Sequence, residues 1–181
     1  MNKKKYRESI EKEVYKGEKN FFRRLILKYL NVSTNSVFLI RRFQYLSQSS
    51  SKISRIYAEV LHKKLVQKYG IHISGTTKIG MGLKLPHPTC IVIGAKVVIG
   101  DNCTIFQNTT IGSRRIGDVK RGFQPNIGEN CVIFSGSSIL GNVTVGKNNL
   151  IGANTLLLKS SKDNCICIGT PAIIREKEEN R

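Results

Sequence analysis

The chain has 181 residues and a mass of 20.3 kDa, room for one ordinary domain or a domain with a small appendage. Its 40% hydrophobic content suffices for a core and excludes a wholly disordered chain. Thirty Lys and Arg against twelve Asp and Glu leave +18, which favours an anionic partner (nucleic acid, acidic lipid or a phosphate-rich ligand) without choosing among them.

No stretch approaches the roughly 20 apolar residues that span a bilayer. The longest early candidate, residues 21–30, is cut by Arg23, Arg24 and Lys28, and the lysines at 3–5 are followed by no apolar signal-peptide core. The expectation is a cytoplasmic protein, its helices at most touching the inner face of the membrane. Five cysteines without zinc-ligand spacing read as free thiols, and no metal is expected.

Composition changes at Gly70. Residues 1–70 hold all six tyrosines, two of the sixteen glycines, and seventeen Lys/Arg against five Glu, or +12. This part reads as a basic α-helical region. Leu25, Ile26, Tyr29 and Leu30 recur at helical spacing, as do Val37, Ile40, Phe43, Tyr45 and Leu46, with Ser33 or Thr34 as the cap of that second segment. A third helix is expected over 51–69, with Ile53, Ile56, Tyr57, Val60, Leu61 and Leu65 on one broad face and Gly70 as its stop. His62 reads as a solvated residue of that helix.

From Ile73 the period becomes six. Apolar anchors stand at 73, 79 and 85, at 93, 99, 105 and 111, and at 127, 133, 139, 145, 151 and 157. Glycine follows the anchor at 80, 94, 100, 112, 128, 146 and 152, and a mostly small or apolar residue stands four after it, Cys103 and Cys131 among them. Neither a helix nor an alternating strand has this period. Three short parallel strands per turn do, each anchor stacking on the one eighteen residues away. Residues 71–181 therefore read as a parallel β-helix, whose coils stabilise one another.

Chemistry is expected where the repeat breaks. Anchors 85 and 93 stand eight positions apart instead of six, with His87 bracketed by Pro86 and Pro88. Anchors 111 and 127 stand sixteen apart, leaving a projecting cationic loop at 112–126. These features resemble the left-handed β-helix acyltransferases, specifically the serine acetyltransferases and the polysaccharide O-acetyltransferases similar to them. The segment Leu85-Pro86-His87-Pro88-Thr89-Cys90-Ile91-Val92-Ile93-Gly94 stands for L-x-H-x-x-G-I-V-I/V-G, and Gly169-Thr170-Pro171-Ala172 for the closing turn. The resemblance spans roughly residues 33–176.

The resemblance implies a mainly β fold, a left-handed β-helix preceded by helices, and transfer of acetyl from acetyl-CoA to a hydroxyl with His87 as general base. It implies coenzyme contacts at Ser113, Arg114, Ser135, Ala153, Lys159 and Arg175. It also implies a homotrimer, with a dimer of trimers as the next assembly. Departures bear on the acceptor. Pro86 stands for an aspartate, His72 for the carboxylate that orients the base, Phe123-Gln124 for an Arg-His pair, Ala95 for a glutamate, and Ile173 for a basic residue after the closing turn. Serine carries two charges that those groups would meet. Their loss favours a sugar hydroxyl, on a cell-surface polysaccharide precursor, with Phe123 and Gln124 as substrate contacts and His72 as the candidate partner of His87. Serine O-acetyltransferase is the alternative. A non-enzymatic basic module on an inert solenoid, binding nucleic acid or a membrane surface, is the rival of another class. Residues 1–70 carry no base-reading motif, so nucleic acid is not expected as a partner.

Overall fold

The computed structural model describes residues 2–177; Met1 and the last four residues of the 71–181 segment lie outside the described residues. The chain opens with helices. Helix α1 (Lys3–Ser9) and α2 (Phe21–Leu25) each run on into a π-helical stretch, Ile10–Tyr15 and Ile26–Leu30. Helix α3 spans Val32–Ser47 and α4 spans Lys52–Tyr69. No helix among the described residues is long and apolar enough to cross a membrane.

Two helix details differ from the sequence expectation. Asn31, rather than Ser33 or Thr34, caps α3: its Oδ1 accepts from Thr34 N at 3.0 Å, while its carbonyl takes the first helical bond from Asn35 at 2.9 Å. In α4, Leu61 and Leu65 are buried with Ala58 and Tyr69, but Ile53, Ile56, Tyr57 and Val60 remain exposed. Its broad apolar stripe is wider than α3 can cover. Ser51 and left-handed Gly70 bound the helix as expected.

A buried clamp joins the helices to the solenoid. Arg41 is 1% exposed, and its Nε and Nη2 donate to the Glu13 carboxylate at 2.7 and 2.6 Å. Arg41 also donates to the carbonyls of Ile79 and Gly80, while Glu13 accepts from the N–H groups of Gly82 and Leu83 at 2.6 and 3.1 Å. The pair thus satisfies backbone groups of the first coil that no preceding coil covers, which makes the burial of two charges tolerable.

Past Gly70 the chain winds as a three-sided prism. The first face stacks His72–Ile73, Val92–Ile93, Thr110–Gly112, Ser138–Leu140 and Leu156–Leu157 in parallel. The second stacks Lys78–Ile79, Val98–Ile99, Asn126–Ile127 and Thr144–Val145. The third stacks Thr104–Ile105, Val132–Ile133, Leu150–Ile151 and Cys165–Ile168, and closes with antiparallel Ile173–Glu176. The register pairs anchor with anchor, and every anchor is buried. Each contributes roughly 1.5–3 kcal/mol by leaving water, so the stack holds the prism together.

The glycines after second-face anchors have a steric cause. A Cβ on Gly100 would lie 2.6 Å from Glu129 N, and one on Gly128 would lie 2.8 Å from the Gly146 backbone. Polar residues inside the prism are satisfied within it: Thr109 donates to Phe106 O at 2.8 Å, and Ser137 to Gly152 O at 2.9 Å. Cys103 and Cys131 donate to the carbonyls of Gly128 and Gly146. The neighbouring Cys131 thiol, together with burial, pushes the Cys103 thiol well above its ordinary range.

Candidate active site

His87 stands at the corner between the third face and the first. Lys84 pairs with Thr104, so Leu85 takes the anchor position of Ile105 and His87 the position of Gln107, two residues past the anchor. Ser135 and Ala153 stand at the same offset in the next two coils. The two extra residues are fixed by backbone bonds: Thr89 N reaches His87 O at 2.8 Å and Asn108 N reaches Thr89 O at 3.0 Å. Register returns at Cys90, left-handed (φ 52°) like Asn108 (φ 58°) below it. Pro88 is buried while His87 is exposed, so the bump anchors one proline and offers the imidazole to solvent.

Two residues that the sequence reading passed over flank this histidine. Phe106 has its ring 6.1 Å from that of His87, and Phe134 stacks on Phe106 at 5.2 Å with 17° between planes. Both occupy the slot after an anchor that glycine fills at seven other turns. That exception to the glycine pattern is the signal that would have found them. Both rings are half-buried and make an apolar strip beside the imidazole.

The projecting loop leaves the other edge of the first face. Asp118, buried, organises it: its Oδ2 accepts from Arg114 N at 3.1 Å and Arg115 N at 2.7 Å, and its Oδ1 meets Arg121 Nη2 at 3.1 Å. A short helix, α5 (Asp118–Arg121), sits between left-handed Gly117 and Gly122. The projecting loop is therefore braced from within. Lys96 Nζ ties it to the prism by donating to Val119 O at 3.1 Å. Gln124 is buried, with Nε2 donating to Ser113 Oγ at 2.7 Å and to Phe123 O at 2.8 Å, whereas Phe123 is exposed. The Gln124 amide nitrogen is thus spent on the loop, and only a buried Oε1 is left without a partner. Lys159 shares this corner, two residues past its anchor as Ser113 is past Ile111; Arg175 lies on the closing strand opposite Ile166. Arg114, Lys159 and Arg175 are all exposed.

The candidate residues therefore divide between two corners of one copy. His87, Ser135 and Ala153 occupy one; Ser113, Arg114, Phe123, Gln124 and Lys159 occupy the other. His72 lies on the first face, paired with Val92, and its aromatic neighbour is His62 at 6.4 Å. His62 is half-buried and stacked on Phe43 at 5.2 Å, not the solvated helix residue that its lysine neighbours suggest, because α3 brings Phe43 against it.

Residues 124–159 match the family model described as bacterial transferase hexapeptide (six repeats). A curated relative named serine acetyltransferase, from Staphylococcus epidermidis, is 40% identical over 112 residues, 62% of this chain and 52% of its own length. Serine acetyltransferase 3, mitochondrial, from Arabidopsis thaliana is 33% identical over 128 residues, 70% of this chain and 32% of its own. The chain thus spans about half or less of these relatives. The crystal structure of serine acetyltransferase from Brucella abortus superposes with a TM-score of 0.75 at 27% identity, covering 95% of this chain and 67% of that one. With the period of six, the three stacked faces, the histidine bump and these likenesses in agreement, the chain has the left-handed β-helix fold of the hexapeptide-repeat acyltransferases and resembles that family.

Proposed function

We propose that the protein transfers an acetyl group from acetyl-CoA to a hydroxyl, with His87 as general base. The observation that carries the reading is the exposed imidazole of His87, held by the bump at a corner where Ser135 and Ala153 stand at the same offset two and three coils further on. An alcohol is a weak nucleophile at neutral pH. The imidazole takes its proton as the oxygen attacks the thioester carbonyl. The tetrahedral intermediate then expels the coenzyme sulfur, which recovers the proton from the imidazolium. Acetyl-CoA is the donor; its polyanionic end suits exposed Arg114, Lys159 and Arg175. Because these residues divide between two corners, a complete site takes one corner from each of two neighbouring copies, as a homotrimer provides.

For the acceptor, the relatives bear the name serine acetyltransferase and support serine over the sugar favoured by the residue departures. One observation keeps a sugar as the second reading: the ring beside His87 is Phe106, backed by Phe134, an apolar strip suited to the C–H face of a pyranose. Acetyl-CoA turnover, followed by free thiol release and by the mass of the product, decides between them. O-acetylserine as the product supports the first reading, and turnover only with hexoses supports the second. Absence of acetyl-CoA binding with either acceptor sinks the enzymatic reading.

A further inference from the structure

We propose that the helical region docks on an anionic lipid surface, through the face that α2 with its π-helical extension and α4 build on either side of α3. From Lys19 to Ala58 the chain carries eight Lys and Arg and no Asp or Glu. The same stretch exposes large apolar side chains: Phe21 68%, Phe22 73%, Leu30 74%, Ile53 80% and Ile56 67%.

The two exposed helices are joined across α3 by a cationic and aromatic seam. The Tyr29 ring lies 6.4 Å from that of Phe38, and Lys28 Nζ stands 4.7 and 4.8 Å from the two. Arg42 continues the seam, 6.0 Å from the Phe38 ring and 5.5 Å from that of Tyr57 on α4. Lys28 and Arg42 have no carboxylate partner among the described residues; of the eight, only Arg23, Arg24 and Arg41 do. The surface is thus apolar and basic together, with ammonium and guanidinium groups held among rings.

That combination selects the occupant. A second copy meeting this face would bring an excess of like charge together, with only Glu18 and Glu59 at the edges of the stretch to offset it. A nucleic acid backbone would satisfy the cations and leave Phe22, Leu30 and Ile53 in water or against phosphate. The boundary between headgroups and acyl chains takes both: apolar side chains enter the acyl edge while Lys and Arg meet lipid phosphates. Each basic residue near an anionic surface contributes about a factor of five in affinity.

The test is co-sedimentation of the full chain with phosphatidylcholine vesicles, with and without about 30% phosphatidylglycerol, at low and physiological salt. The expected result is binding at least about tenfold stronger on the anionic vesicles, weakened by salt. Phe22→Ser with Leu30→Ser, and separately Lys19→Glu with Lys52→Glu, are expected to lower that binding at least about tenfold with circular dichroism unchanged. No sedimentation with anionic vesicles overturns the proposal, as does binding indifferent to both pairs of substitutions. A lipid-free association equilibrium abolished by Phe22→Ser with Leu30→Ser would give the face to a second copy. Binding to duplex DNA tighter than to the anionic vesicles would give it to nucleic acid; either overturns the proposal.

Discussion

Replacing Arg41 by methionine tests how the helices are held to the solenoid. Methionine keeps an apolar stem of similar length, so packing changes little. The charge and its donors vanish. Glu13 then keeps the N–H groups of Gly82 and Leu83, at 2.6 and 3.1 Å, but loses its countercharge in a site where both side chains are 1% exposed or less. The carbonyls of Ile79 and Gly80 lose their side-chain donor as well. Removing one partner of a buried ion pair costs about 3–5 kcal/mol. For a chain of this size that corresponds to a fall in Tm of roughly 6–20 °C. Urea unfolding followed by far-ultraviolet circular dichroism reads the loss. The double variant Glu13→Gln with Arg41→Met should be less destabilised than the sum of the single changes, because no charge is left uncompensated. A loss below about 1 kcal/mol for Arg41→Met, the range of an exposed pair, would refute the clamp.

Further predictions follow from the coils. Gly100→Ala forces a Cβ to 2.6 Å from the Glu129 backbone, and should destabilise by about 1–3 kcal/mol or more in the same urea assay. Cys90 is the exposed thiol and the other four are buried; a thiol reagent should therefore label one cysteine of five in the native protein and all five after denaturation. Asp118→Asn should free the loop at 112–126, read as faster amide exchange at Arg114 and Arg115, with the rest of the solenoid unchanged. Phe106→Ala should raise the acceptor KM while leaving acetyl-CoA binding intact, if the ring lies beside the acceptor.

The solenoid was legible because its signal is rigid. Anchors such as Ile99 and Ile127 repeat on a fixed period and stack in register, so position alone fixes which side chains point inward. The histidine bump and the loop were legible as failures of that period. The helices were less so, since helical spacing tells which residues share a face but not which neighbour covers it. Ile53 and Ile56 share the apolar stripe of α4 and stay exposed, while Arg41 and Glu13, charged and unremarked in the sequence, are buried together. Its place in the loop suggests Gln124 as a substrate contact; the loop folds its amide inward onto Ser113, a tertiary bond that no local pattern announces. Phe106 and Phe134 directly follow the anchors Ile105 and Ile133, where each breaks the glycine pattern at the corner of His87.

The central claim rests on one imidazole, and acetyl-CoA turnover by wild type and His87→Ala tests it most directly. His87 is exposed, and its side chain supports no core packing. The variant should therefore keep the wild-type circular dichroism and coenzyme affinity while acceptor-dependent thiol release falls by about 10²–10⁴-fold. Release within a few fold of wild type, with the fold intact, would contradict the assignment of His87 as the base.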